Sequence, residues 1–432
     1  MFKVTYLFYQ RFTKMNYTQE IKDKISELAK NSSDNCTSIG YGFKEVDGKL
    51  TNEKAIIFRF KEKKPISELS ESEIIPKTIT INGEILRTDV CQGEDEFMAY
   101  EACPSSFYSW SSNSTLNPTG ATTPPQQSEI RPIKGGLQIR NQTKGWVGTM
   151  GFVAVDNEND SIVGVTNAHV MTEIFFRANE SGRGVENVYT DNMGQPSGTV
   201  SQRVGVTKRY IPVQGNASGG INYVDGALFT LDSSVVNTSQ SYQYYGLSFT
   251  GSPTFATTAE IDDLINNNYN LYSVGRTTGA KGEGTTKLKF LSYDTIYVNN
   301  TLDGSTQRVC RYDDCISYIA SASTTTSGNG CYYPINSGDS GSALLADING
   351  DIKIIGLCFA GSTTGSPDGY FTIGRACRID KVAEQLNISP YTGQTVNYSD
   401  DSNPQVHYEI GFSSLSAVTV NGNKYYQLGT TS

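Results

Sequence analysis

In TQEIKDKISELAK, residues 18–30, the apolar positions Ile21, Ile25 and Leu28 recur three and four apart with charged residues between them. That period predicts an amphipathic helix with Thr18 at its N-cap and Lys30 near its end. The period then changes. IGYGFKEVDGKLTNEKAIIFRF, residues 39–60, reads as two strands around a VDGK turn, and KTITINGEILRTDV, residues 77–90, as a third strand run with its own Asn-Gly turn. Residues 1–100 therefore read as a small α+β unit. Residues 101–130 are rich in Ser, Thr, Pro and Asn and follow neither hydrophobic period, which marks a linker. From Arg131 to about residue 388, short runs of Val, Ile, Phe and Tyr alternate with Gly, Asn and Asp at the spacing of an antiparallel barrel or sandwich. Residues 389–432 form a C-terminal extension in which AVTVNGNKYYQL predicts one more hairpin. No solenoid-type repeat is present.

Composition agrees with a mainly β protein. At 432 residues the chain can bury a large core, and 42 Gly and 26 Tyr beside only 18% charged residues suit turns and strands. The net charge of −9 argues against a nucleic-acid partner, which needs a basic face. The opening MFKVTYLFYQRFTKM has no apolar run of signal-peptide length, and no segment matches a membrane span, so the expectation is a soluble, cytoplasmic protein. Eight cysteines are then expected as thiols. Cys310 and Cys315 bracket RYDD and could close a local loop, whereas Cys358 lies in an apolar run and reads as core. With no C-x-x-C pair and two isolated histidines, neither a metal nor an organic cofactor is expected.

Candidate chemistry sits in three stretches. NSGDSGSAL surrounds Ser340 with Gly338, Asp339 and Gly341; SIVGVTNAHVM carries His169 at the end of an apolar strand; NYVDGALFTL carries Asp225 just ahead of another. A serine nucleophile needs a base, a buried acid to fix the imidazole tautomer, and backbone N–H groups aimed at an oxyanion. Asp232 and the IDDLI run from Ile261 compete with Asp225, but only Asp225 immediately precedes a core strand. His407, in the C-terminal extension, reads as a surface or packing residue. GRTTGAKGEG lacks the spacing of a phosphate loop and reads as a β-turn.

These motifs, in the order His, Asp, Ser, resemble those of the chymotrypsin-like (trypsin-like) serine peptidases, and most of all the bacterial and plant branch with a small N-terminal domain. The resemblance extends over residues 131–388, including RPIKGGLQIRNQTKGWVGTMGFVAV, SVGRTTGAKGEG and the closing IDKVAEQLNI. It implies a double antiparallel β-barrel, with the N-terminal α+β unit and the C-terminal hairpin appended. It also implies Ser340 as nucleophile, His169 as general base and then acid, Asp225 as orienting carboxylate, and the N–H groups of Gly338 and Ser340 as the oxyanion hole.

Asn167 and Ser342 depart from the family pattern without removing a required group. With no activation site at the barrel's start, Asp339 is expected to cap local amides, and activity is expected without propeptide cleavage. Pro334, six residues before Ser340, argues against cleavage after Arg or Lys. Ala360 and Gly361 in FAGS leave a pocket for apolar or medium side chains, and Asp368 is positioned to enter it from the far side. The reading is a serine endopeptidase acting on a protein or peptide substrate. The alternative is an assembly or structural protein, of viral type, that uses a peptidase-like barrel as a binding module. The N-terminal unit is a candidate for substrate positioning, self-association or packing over the barrel.

Overall fold

The computed structural model describes residues 16–98 and 125–398, except 47–48, 72, 95, 143–144, 172–174, 177–191, 195–202, 212, 215–219, 238, 250, 284–285, 302–306, 323–332 and 364–371, together with strand residues 416–420 and 423–427. The expected helix is α1, Gln19–Lys30, which turns Ile21, Ile25 and Ala29 inward. The strands that follow are β1 (Cys36–Val46), β2 (Lys49–Phe60), β3 (Thr78–Ile81), β4 (Glu84–Gln92) and a short β5 (Glu96–Met98). Asn82 and Gly83, both with positive φ, make the β3–β4 turn that their sequence predicts.

The chain then builds two main sheets. The first contains β6 (Gln138–Asn141), β7 (Val147–Thr149), β8 (Phe152–Asp156), β9 (Ser161–Thr166), β10 (Asn192–Gly194), β11 (Arg203–Tyr210) and β12 (Ala227–Thr230), with the one-turn helix α2 (Ala168–Met171) after β9. The second contains β13 (Leu271–Gly275), β14 (Gly279–Lys281), β15 (Thr286–Thr301), β16 (Gln307–Ala322), β17 (Ala343–Ile348), β18 (Asp351–Ser362) and β19 (Ile373–Arg378). Helix α3 (Ile379–Leu386) follows, then β20 (Ile388–Pro390), which returns to pair with β8. The C-terminal hairpin is β21 (Ser416–Val420) with β22 (Asn423–Gln427).

In the second sheet, β16, β19, β18, β17, β13 and β15 follow one another, and the β15–β16 ladder returns to the start of this ring. The first sheet runs from β20 through β8, β9, β12, β11 and β10 to β6 and β7, with no pairing between its ends among the described residues. Of the two barrels expected, one is thus a closed ring of ladders and the other an open sheet.

The N-terminal strands continue the ring. β1 pairs with β15 from Ser38↔Ile296 to Gly42↔Ser292, and β2, β4 and β3 extend outward from it. The two backbones approach closely, and only glycine fits: a Cβ on Gly40 would lie 1.6 Å from Asp294 Oδ1. Above this junction Tyr17 stacks on Tyr293 with centroids 3.9 Å apart, and Lys22 meets Asp262 at 2.9 Å.

At the same junction Asp294 is fully buried between two arginines, Arg59 of β2 at 3.3 Å and Arg375 of β19 in direct contact, with the Ser292 and Ser317 hydroxyls bonded to the same carboxylate. Burial alone would raise its pKa, but Arg59, Arg375 and the hydroxyls hold the carboxyl below its usual range. A depressed pKa contributes stability that is present at neutral pH and lost as pH falls through the folded-state value. Asp294→Ala, which leaves two buried cations without a counter-charge, is expected to lower the urea-unfolding free energy by about 3–5 kcal/mol.

Cys36, Cys91, Cys310, Cys315, Cys358 and Cys377 are free thiols. The local loop closed by Cys310 and Cys315 is not formed. Both lie on β16 on either side of a bulge at Asp314, opposite Val298 and Asp294 of β15; four residues of strand separate those partners, roughly 13 Å, too far for a disulfide. Burial pushes Cys36 and Cys91 up to about 11, and raises Cys315, Cys358 and Cys377 as well. Iodoacetamide at pH 8, followed by peptide mass mapping, should leave Cys36, Cys315, Cys358 and Cys377 unmodified in native protein and alkylate them in urea.

Candidate active site

Strand β9 is buried along its whole length and ends at Thr166, so the chain must turn there, and α2 is that turn. His169 is in its middle, 5% exposed. Asp225 lies two residues before β12, which pairs with β9, so the aspartate arrives beside the same turn, fully buried. His169 Nδ1 and Asp225 Oδ2 are 2.5 Å apart, and the His169 backbone N–H donates to Asp225 Oδ1 at 3.2 Å. A carboxylate accepting from Nδ1–H fixes the neutral tautomer that leaves Nε2 as the ring's acceptor.

Asp225 is itself held from behind. Its N–H points at Cys377 Sγ, 3.3 Å away, and its carbonyl accepts from Asn167 Nδ2 at 2.6 Å. Asn167, a departure from the family motif, therefore ties the histidine turn to the aspartate. Burial, with the Asp225 carboxylate nearby, keeps the Cys377 thiol protonated. The competing acids are engaged elsewhere: Asp232 pairs with Arg203 at 2.9 Å, and Asp262 with Lys22 and Arg378.

Ser340 belongs to the tight turn that precedes β17. Gly338 and Gly341 flank it with φ of 87° and 91°, values that favour glycine. Gly341 has no room for a side chain either, since a Cβ there would lie 2.2 Å from Thr166 Oγ1. The Ser340 carbonyl accepts from Thr149 N–H at 2.8 Å, and Thr149 O accepts from the Thr166 hydroxyl at 2.9 Å, three residues before His169. A Cβ on Gly148 would touch both Val170 and the Ser340 carbonyl oxygen, so the serine turn and the histidine helix sit on either side of one glycine. Gly341 N–H then donates to Cys358 O at 2.9 Å, and Cys358 N–H to Ser342 O at 2.8 Å, which docks the turn on β18. The His169–Asp225 pair and the serine turn are thus linked through Thr166, Thr149 and Gly148, while the Ser340 hydroxyl donates to Phe359 O of β18 at 3.4 Å.

Asp339, almost fully buried, organises the turn. Its carboxylate accepts from Thr277 N–H (2.8 Å), Thr278 N–H (3.1 Å), Thr278 Oγ1 (2.5 Å) and Asn336 N–H (3.0 Å), with Lys281 Nζ at 3.9 Å. The expectation that Asp339 caps local amides holds for Asn336 N–H alone; the Thr277 and Thr278 donors come from the distant β13–β14 turn, the GRTTG stretch. The same turn controls Gly338. Asp339 N–H closes a turn onto Asn336 O at 2.9 Å, and a positive φ at its third residue is the type II pattern. Thr277 Oγ1 donates to Ser337 O at 2.6 Å. In a trans peptide the Gly338 N–H must point the opposite way, out of the turn.

The remaining expected residues are less informative. Pro334 is buried ahead of the turn. Ala360 and Gly361 lie on β18, three residues and fewer from the serine's docking point at Cys358, and both are buried. Asp368 and His407 lie outside the described residues. Among the described residues no group of His, Cys, Asp and Glu is arranged to hold a metal ion, and no helix is long and apolar enough to cross a membrane.

No protein-family model matches the chain, and no curated protein matches it. Solved structures similar to parts of it include Thermobifida fusca protease A (16% identity, TM-score 0.34, covering 60% of this chain and 98% of that one). Nocardiopsis protease gives 15% identity and a TM-score of 0.33, covering 60% and 99%. A glutamic acid-specific serine protease gives 12% and 0.36, covering 60% and 100%. Likeness this slight adds no weight to the site, which stands on its own geometry.

Removing the Asp339 carboxylate strands several buried donors at once. Asp339→Ala is expected to cost about 3–5 kcal/mol in urea unfolding. A loss under about 1 kcal/mol would mean that the turn is held by something else.

Proposed function

We propose that the chain is a chymotrypsin-like serine endopeptidase. The observation that carries this reading is the buried His169–Asp225 pair, linked through Thr166, Thr149 and Gly148 to the glycine-flanked turn that carries Ser340. In the proposed reaction His169 Nε2 takes the Ser340 hydroxyl proton as Oγ attacks a peptide carbonyl. The Asp225 carboxylate stabilises the imidazolium that forms. The Gly338 and Ser340 N–H groups hold the oxyanion, His169 returns the proton to the leaving amine, and water releases the acyl group by the same steps in reverse order.

The Asp339 network supports a second element of the reading: the oxyanion turn is built by Thr277, Thr278 and Lys281 from within the folded chain, without a newly cut N-terminus. Pro334 offers no acid to a basic side chain, and the small residues Ala360 and Gly361 suit an apolar or medium residue at the cleaved bond.

Hydrolysis of a peptide library, read by mass spectrometry, tests the assignment. Ser340→Ala should lower turnover by on the order of 10⁶, and Asp225→Asn by roughly 10⁴ with the fold intact. Ser340→Ala protein that retained near-wild-type hydrolysis would sink the proposal, and a strong preference for Arg or Lys would overturn the pocket reading.

A further inference from the structure

One edge of β18 is taken by β19, from Gly356↔Arg378 to Ser362↔Ile373. The other edge pairs with β17 as far as Leu357↔Ala343, then receives the serine turn at Cys358. Beyond that point it is free for an extended partner, and it has one. Met98, Phe97 and Glu96 of β5 pair antiparallel with Ala360, Gly361 and Ser362.

The direction of that pairing is informative. Antiparallel to β18, the chain from Glu96 to Met98 advances toward Cys358 and so toward Ser340. A serine nucleophile keeps the N-terminal part of its substrate as the acyl group, so that part must approach Ser340 in this sense. Strand addition to an open sheet edge is a general mode of peptide binding, with main-chain hydrogen bonds supplying affinity. β5 is also held from its other side, where Glu96 and Phe97 pair parallel with Val298 and Asn299 of β15. The chain leading into it is pinned: Gly93 N–H donates to Phe60 O at 2.7 Å, and the Thr363 hydroxyl bonds Glu94. Ser340, which has to meet a substrate, has no exposed surface.

We propose that residues 96–98 are an internal pseudosubstrate strand, which fills the acyl-side peptide edge of β18 in cis and restrains the enzyme against extended substrates. This rests on the peptidase reading above. The N-terminal unit then acts as the anchor that holds β5 in place, and the catalytic turn stays assembled beneath it.

The test compares full-length wild type with Phe97→Pro/Met98→Pro, in which two of the strand's three N–H donors are lost, one from each edge. Each protein is reacted with diisopropyl fluorophosphate, which needs only the serine site, and with an apolar tetrapeptide diphenyl phosphonate, which also needs the β18 edge. The small reagent should label both equally. The peptidyl phosphonate should label the variant about tenfold faster or more, the scale of one or two ladder hydrogen bonds at about 1 kcal/mol each. Equal rates with the peptidyl reagent, while the small one labels both, would overturn the proposal. Folded wild type that reacts with neither reagent would instead overturn the peptidase reading beneath it. Thr363→Val, which removes only the hydroxyl bonded to Glu94, should shift the peptidyl rate in the same direction by a smaller factor. It decides the question if the proline variant fails to fold, since an unchanged rate in folded Thr363→Val would then count against the strand.

Discussion

The Asp339 carboxylate is the interaction on which the site depends. A turn tight enough to bring Gly338, Ser340 and Gly341 together with two positive φ values has few conformational alternatives, but by itself it has no reason to face one way. The carboxylate supplies the reason by gathering donors from Asn336 on one side and from Thr277 and Thr278 on the other, with Lys281 behind. Once these bonds form, the Ser337 carbonyl is held against Thr277 and the Gly338 N–H is directed outward. Thr278, Asn336 and Lys281 are buried with the carboxylate, which shields these contacts from water, while Thr277 and Ser337 are half-buried at the edge of the network.

A second constraint links the serine turn to the rest of the molecule. β18 is at once a wall of the strand ring, the dock for the serine turn at Cys358, and the edge that pairs with β5. β15 closes the ring through β16 and also carries β1, so the N-terminal strands share a sheet with the strands that hold the serine. Asp294, between Arg59 and Arg375, fixes the two parts with a buried charge network that spans β2, β15 and β19. In this arrangement the N-terminal strands and the edge of β18 that pairs with β5 belong to one continuous sheet.

Much of this was legible in the sequence where the signal is local. The period of residues 18–30, the Asn-Gly turn at Asn82 and Gly83, and the apolar strands ahead of His169 and after Asp225 are properties of short windows, and the structure has elements at each place. The glycines around Ser340 were legible for the same reason, because a sharp turn demands them whatever its surroundings. What the sequence did not carry was pairing between distant segments. Nothing in IGYGF announces that β1 joins β15, and the α+β unit therefore read as separate from the barrel. A three-residue strand such as β5 has no period to detect. The roles of Thr277, Thr278 and Asn167 were hidden because a threonine in a turn or an asparagine after a strand becomes specific only through a partner far along the chain. Cys310 and Cys315 show the opposite failing, since five residues of sequence suggested a small loop where the backbone is a bulged strand.

The central claim is that Ser340 is a nucleophile activated by His169. The most direct measurement is labelling of the purified full-length protein with a fluorophosphonate probe, followed by peptide mapping, with Ser340→Ala and His169→Ala as controls. The account predicts a single modified residue, Ser340, with labelling abolished in the first control and strongly slowed in the second. Folded protein that takes no label, or takes it at a different residue, would contradict the account.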